Sequence, residues 1–270
     1  MITSVKNPLV RYVRRLMHKR AFRQQEGRFA VEGRRETERA MKGGFRLDTL
    51  IICPEIDPNE ELRRMFLRLN PGGEVVEVSA KVYEAMAYRG GTEGIMAVGR
   101  QKDHRARWEE LPDEPLLLVA EAIQKPGNIG AILRTTDAVG TDAAVFVAPL
   151  TDLYNPNVIR SSLGTLFTQR VWLVSRADLA EGRRLKHFRI LAATLQNSRV
   201  YWRENFRRGT ALAVGNEAEG LSEEMRALAD GFVYIPMNGV ADSLNVSVSA
   251  AVLLYEALRQ REVGTKSGDG

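Results

Sequence analysis

Ser243-Leu-Asn-Val-Ser-Val-Ser-Ala-Ala-Val-Leu-Leu-Tyr255 decides how the chain is read. It follows an apolar, strand-like run, Gly231-Phe-Val-Tyr-Ile-Pro-Met237, and a polar turn, Asn238-Gly-Val-Ala-Asp242. It then becomes an apolar helix that reaches Arg261. Ser243 or Asp242 is a natural N-cap, because either side chain accepts from the free N–H groups of a first helical turn. Three serines and an asparagine within seven residues exceed what one cap needs. Two readings stand: a capped, buried C-terminal helix, or a polar pocket at a helix N-terminus, where the dipole and open N–H groups suit an oxygen-rich ligand.

Upstream of this stretch lie further apolar runs: Pro115–Ala120, Ala143–Ala148, Arg170–Val174, Arg189–Thr194 and Thr210–Gly215. Several are apolar throughout rather than alternating, as parallel strands covered on both faces are. Residues 1–100 alternate on a smaller scale. Helices are expected over 5–24, Arg34–Met41, Glu60–Leu69 and Ala80–Met86, with strands at Arg28–Glu32, Leu47–Cys53, Glu74–Val78 and Ile95–Val98. Residues 101–114 are polar, charged and prolyl, and read as a linker. The domain over 115–263 follows, then a frayed tail, 264–270.

Two more strand ends carry polar turns. Gln124-Lys-Pro-Gly-Asn-Ile-Gly-Ala-Ile-Leu-Arg134 turns tightly from a strand into a helix, bringing Asn128 and Arg134 toward a helix N-terminus where phosphate binds well. It has neither the GxGxxG spacing of a dinucleotide fingerprint nor the Gly-Lys-Ser/Thr of a P-loop. On its own it reads better as a tight turn with a surface arginine. Ala211-Leu-Ala-Val-Gly-Asn-Glu-Ala-Glu-Gly-Leu-Ser222 places Gly215 and Glu217 at the end of an inner strand, where open α/β sheets place ligands. Alternatively, Glu217 or Glu219 only favours the dipole of the next helix.

Taken together, Asn128-Ile-Gly-Ala-Ile-Leu-Arg134, Gly215-Asn-Glu-Ala-Glu-Gly-Leu221 and Ile235-Pro-Met followed by Ser243-Leu-Asn-Val-Ser-Val-Ser249 resemble the three motifs of the SpoU (TrmH) family of RNA ribose 2'-O-methyltransferases, in the SPOUT superfamily. The resemblance spans about 115–261. Residues 1–100, with Phe29-Ala-Val-Glu-Gly-Arg34, look more loosely like the family's ribosomal-protein-like substrate-binding domain. The resemblance implies an α/β fold with a C-terminal, mostly parallel knotted domain, a trefoil exception to the rule that chains do not thread loops. It implies S-adenosylmethionine as cofactor, held by Gly215, Ile235 and Leu244 with Thr194 and Leu195 as neighbours. It also implies a homodimer with active sites at the subunit interface, and catalytic roles for Arg134, Asn128, Glu217, Ser243 and Asn245. The family residue at Arg134 is often called a general base. A guanidinium has five donors and no acceptor, so Arg134 is read here as binding phosphate and stabilising a developing alkoxide.

Charge points the same way. Residues 1–40 hold eleven lysines and arginines against four glutamates, an excess of seven where the whole 270-residue chain has five. Charge runs are commonly solvated helix faces, but arginine dominates here and suits bidentate phosphate contact. Arg14, Arg20, Arg23 and Arg34 are the candidate RNA contacts. Cys53 is the only cysteine, and His18, His104 and His187 lack zincin spacing, so no disulfide or metal is expected. No apolar run is long enough for a bilayer and no signal-peptide h-region opens the chain, so a cytoplasmic location is expected. The leading reading is a methyltransferase acting on ribosomal RNA, the 23S species by family habit. A transfer-RNA enzyme and an RNA-binding protein that lost catalysis are the alternatives. A nucleotide-binding oxidoreductase is disfavoured by the missing fingerprint.

Overall fold

The computed structural model describes residues 1–58, 60–88 and 93–265, without the side chains of 263–265. The chain divides into two compact units, Met1–Asp103 with Asp152–Thr168, and His104–Thr151 with Gln169–Gly270.

The first unit begins with α1 (Pro8–His18) and α2 (Arg20–Glu26), where one helix over 5–24 was expected. Asn7 starts α1, its side chain accepting from Leu9 N–H at 2.8 Å with proline at the first helical position. Lys19 adopts an extended conformation and ends it. The break is stabilised from outside the helix. Arg23 turns back so that Nη1 donates to the carbonyls of Leu16 (2.7 Å) and Met17 (3.2 Å), while Nε and Nη2 hold the Asp152 carboxylate. Next come β1 (Arg28–Glu32), α3 (Arg34–Lys42), β2 (Leu47–Ile52), α4 (Glu60–Leu69), β3 (Glu74–Glu77), α5 (Ala80–Met86) and β4 (Ile95–Arg100). These agree with the expected elements to within two residues. The sheet order is β1-β4-β2-β3, with β4 antiparallel to both neighbours and β2 parallel to β3. Val10, Val13, Leu16, Phe22, Val82, Tyr83 and Met96 form the core on one side of it.

The second unit opens where a linker was expected. His104 Nδ1 lies 2.7 Å from the Val171 carbonyl, and Trp108 and Leu111 are buried, Trp108 edge-on to Trp172 with centroids 5.1 Å apart. Apolar side chains inside a polar stretch thus anchor it to the second core. The unit continues with β5 (Leu116–Glu121), α6 (Pro126–Val139) and β6 (Ala143–Val147). The chain then crosses into the first unit, where it forms α7 (Pro156–Ser161) and a 3-10 turn, Thr165–Phe167. Tyr154 and Phe167 stack on Phe29 there, with ring centroids 5.0 and 5.3 Å away, and the Tyr154 hydroxyl accepts from Lys102 N–H. The remaining elements are β7 (Val171–Val174), α8 (Arg176–Lys186), β8 (Arg189–Ala193), β9 (Arg199–Val200), β10 (Thr210–Val214), α9 (Glu223–Leu228), β11 (Gly231–Tyr234) and α10 (Val246–Thr265).

The second sheet has the order β7-β6-β5-β10-β8-β11-β9, and every pairing in it is parallel. The apolar strands β5, β6 and β10 are buried at each residue, as strands covered on both faces must be. The helix α10 runs through Thr265; the rest of the expected tail, 266–270, lies outside the described residues. No helix among the described residues is long and apolar enough to cross a membrane.

Candidate active site

Three loops of the second unit meet at the carboxyl ends of its inner strands. The first follows β5. Its last residue, Glu121, is 1% exposed, yet its carboxylate is fully engaged. It accepts from Ser222 N–H and Oγ, both at 2.8 Å, and from Arg176 Nε at 2.8 Å, and Arg176 Nη2 lies at 2.6 Å. A buried carboxylate is tolerated only when its oxygens are satisfied this way. Here it fastens the end of β5 to the cap of α9. Just beyond, the Ala122 carbonyl accepts from Asn216 Nδ2 at 3.0 Å, tying the first loop to the second. Glu121, Arg176, Asn216 and Ser222 were not singled out from sequence. The available signal was one charged residue closing an otherwise apolar strand, Leu-Leu-Leu-Val-Ala-Glu.

The second loop is a tight turn, closed by Asn216 N–H to the Gly220 carbonyl and the reverse bond, each 2.9 Å. Gly215 is required by this turn. A Cβ there would stand 2.2 Å from the Gly220 carbonyl carbon and 2.3 Å from Leu221 N. The turn presents Glu217, whose Oε1 accepts from Asn128 Nδ2. Asn128 Oδ1 in turn accepts from Asn245 Nδ2 at 3.2 Å. One hydrogen-bonded chain therefore links three residues that lie 89 and 117 positions apart.

The third loop runs from β11 to α10. Its cap is Asn245, not Ser243 or Asp242. Asn245 Oδ1 accepts from Ser247 N–H (2.9 Å) and Ser247 Oγ (2.7 Å), and its carbonyl from Val248 and Ser249 N–H. Ser243 instead donates from Oγ to Asp242 Oδ1 at 3.1 Å. The surplus polar residues of this stretch are shared out: Asn245 caps the helix and reaches Asn128, while Ser243 faces a cavity.

That cavity, about 140 Å³, opens at the ends of β8 and β11. Thr194, Leu195, Ile235, Ser243 and Leu244 line it; Gly215 does not. Tyr234 and Met237 add apolar wall, and Asp242 is its one charged residue. A cleft with apolar walls, hydroxyls, one carboxylate and no lysine or arginine fits an uncharged base joined to a cationic group. It does not fit a pyrophosphate. S-adenosylmethionine, with adenine and a sulfonium, matches this lining.

Arg134 is placed differently from the sequence expectation. α6 starts at Pro126, so Arg134 sits eight residues in, about 12 Å along the axis and away from the N-terminus. It is exposed and forms no hydrogen bond or ion pair among the described residues, so Asn128, Glu217 and Asn245 are brought together without it. Among the candidate RNA contacts, Arg14 and Arg20 are exposed on the first unit. Arg34 is exposed and paired with Glu38 and Glu61. Arg23 has to be withdrawn: it is 2% exposed, and its guanidinium is committed to Asp152 and two carbonyls. Among the described residues no group of three His, Cys, Asp or Glu could hold a metal ion.

With this geometry in hand, residues 115–255 match the model of the SpoU rRNA Methylase family, and residues 7–97 that of the MRM3-like substrate binding domain. A 23S rRNA guanosine 2'-O-methyltransferase of Bacillus subtilis is 28% identical over 94% of this chain and 97% of its own. A tRNA guanosine-18 2'-O-methyltransferase of Thermus thermophilus is 42% identical, over 60% of this chain and 85% of its own. The crystal structure of the SpoU methyltransferase AviRb from Streptomyces viridochromogenes, in complex with the cofactor AdoMet, aligns with a TM-score of 0.86. It is 27% identical and covers 95% of this chain and 99% of that one.

Proposed function

The chain belongs to the SpoU rRNA methylase family, and from that premise we propose that it transfers the methyl group of S-adenosylmethionine to a ribose 2'-hydroxyl of RNA, with large-subunit ribosomal RNA as substrate. The observation that carries the reading is the hydrogen-bonded chain Glu217–Asn128–Asn245, which ends one residue from the cavity-lining pair Ser243 and Leu244.

S-adenosylmethionine, when bound, supplies a methyl carbon made electrophilic by its sulfonium. Thr194, Leu195, Ile235 and Leu244 would hold it, with Gly215 keeping the neighbouring turn tight. The chain's own task is at the ribose, whose 2'-oxygen must carry negative charge as its proton passes to water. Arg134 binds the adjacent phosphate and stabilises that charge. Asn128, held at both ends by Glu217 and Asn245, orients the ribose, assisted by Ser243. Donors fixed in advance act strongly because they need not reorganise during the reaction.

A homodimer fits this division. On α10 the exposed Val248 and Tyr255, with the half-buried Ala251 and Val252 between them, form an apolar stripe at helical spacing, apart from the buried Ala250, Leu253, Leu254 and Ala257. An interface site would bring an exposed Arg134 to a neighbouring cleft. The trefoil knot is proposed on the same basis, supported by the bond that draws the segment after β11 to the start of α6. A cytoplasmic location follows from the substrate. Likeness to a ribosomal-RNA enzyme along both units, against likeness to the transfer-RNA enzyme over 60% of the chain, favours ribosomal RNA.

Arg134→Lys tests the chemistry. It keeps the charge and removes the planar fork, so turnover should fall on the order of a hundredfold with cofactor affinity retained. Turnover near that of the unmodified enzyme would remove Arg134 from the reaction.

A further inference from the structure

The edge of the large sheet carries a second feature with the chemistry of an RNA contact. The edge strand β9 pairs with β11 through Arg199↔Val233 and Val200↔Tyr234, and continues into the 3-10 turn Tyr201–Arg203. Short, charged edge strands protect a sheet from pairing with another chain, which accounts for the arginines. It does not account for Trp202, which is 52% exposed, whereas Trp108 and Trp172 are 7% and 5% exposed. Tyr201 meets the indole edge-on, with centroids 5.1 Å apart, and fixes how it is presented.

Around the indole the charge is positive. Arg199, Arg203, Arg207 and Arg208 stand within ten residues that hold one acidic side chain, Glu204. Glu204 is already shared: Arg189 lies 3.4 Å from it and Arg199 3.8 Å, the latter with 82% of its side chain exposed. The strip also borders the cofactor cavity. Val233 and Tyr234, the β11 partners of β9, are walls of that cavity, and Thr194 and Leu195 enter it from the loop leading into β9.

We propose that Arg199, Trp202 and Arg203 hold the RNA strand next to the methylated nucleotide, the indole stacking on an unpaired base and the arginines binding its flanking phosphates. This rests on the methyltransferase reading. Single-stranded RNA is recognised by this pairing of an aromatic platform with cations, and a ribose exposed for methylation lies beside bases that are free to stack.

Because Trp202 is the exposed one of three tryptophans, its emission reports the contact directly. Titrating the full chain with a short oligouridylate should quench the emission, and Trp202→Phe should abolish the quenching. Trp202→Ala should raise KM for RNA on the order of tenfold, the usual worth of one base–aromatic stack, with cofactor affinity kept. Arg199→Glu with Arg203→Glu should flatten the salt dependence of oligouridylate binding. Emission indifferent to the oligonucleotide would overturn the proposal, as would emission that changes with protein concentration alone, which would assign the indole to a contact between copies. If the unmodified chain is quenched but methylates no RNA, the strip stands and the methyltransferase reading falls. If it methylates RNA and Trp202→Ala leaves KM unmoved, the strip alone falls.

Discussion

The arginines of the first forty residues and the three polar turns of the second unit both drew attention as clusters of functional residue types, and the fold treats them in opposite ways. In the turns the side chains find one another: Glu217, Asn128 and Asn245 join in one hydrogen-bonded chain, and Ser243 with Leu244 lines the adjacent cavity. Among the arginines at least one is structural. Arg23 is buried against Asp152 and serves as the C-terminal cap of α1, while Arg14 and Arg20 stay on the surface. Spacing around strand ends carries information about a site because parallel strands bring all their carboxyl ends to one edge of the sheet. Charge density carries much less, because the same guanidinium satisfies a buried carbonyl as well as a phosphate.

The largest expected effect breaks this comparison at its weak member. Arg23→Ala removes one partner of a buried ion pair together with two carbonyl bonds, and should cost about 3–5 kcal/mol in denaturant unfolding. Arg14→Ala should stay within about 0.5 kcal/mol, as exposed substitutions do, and should instead lower the salt slope of RNA binding by about 1. Equal stability of the two variants would return Arg23 to the surface set.

Next in size is Asn128→Ala, which severs both links of the site chain. It should lower kcat on the order of a hundredfold and leave cofactor binding, measured by calorimetry, near its original value. A parallel collapse of cofactor affinity would instead mean that Asn128 shapes the cavity rather than the ribose site.

The smallest effect concerns the first unit. Burial pushes the Glu32 carboxyl above its ordinary range, partly opposed by the bond it accepts from Tyr88 N–H at 2.9 Å. A raised carboxyl favours the folded state while protonated, so its contribution is present below its ordinary value of 4.5 and is lost as pH rises through the raised one. Glu32→Gln should flatten the fall in stability that sets in as pH rises above 4.5 and ends once it has passed the raised value, and an unaltered pH–stability curve would contradict it.

Most elements were legible because their signals are local. Apolar runs such as Leu-Leu-Leu-Val-Ala-Glu and Ala-Ala-Val-Phe-Val mark strands within a residue or two of where they fold. What stayed illegible depends on partners distant in sequence. The break at Lys19 is held by Arg23 and an aspartate 129 residues on. The excursion over Asp152–Thr168 joins the first unit because Tyr154 and Phe167 stack on Phe29. The cap is Asn245 rather than Ser243: its oxygen accepts from Ser247 N–H while its amide nitrogen donates to Asn128, a partner 117 residues away that the local pattern does not reveal. Arg134 and Asn128 both read as close to a helix N-terminus, but α6 begins at Pro126 and six helical residues, about 9 Å of rise, carry Arg134 past Asn128 onto an exposed face.

Activation of a ribose oxygen at this cleft is tested most directly by mapping the product. The full chain is incubated with isotopically labelled S-adenosylmethionine and separated ribosomal and transfer RNA, and the labelled nucleosides are identified by mass spectrometry. A single 2'-O-methylated nucleoside in large-subunit ribosomal RNA, lost with Asn128→Ala, is the predicted result; label on a base, or on no RNA at all, would contradict it.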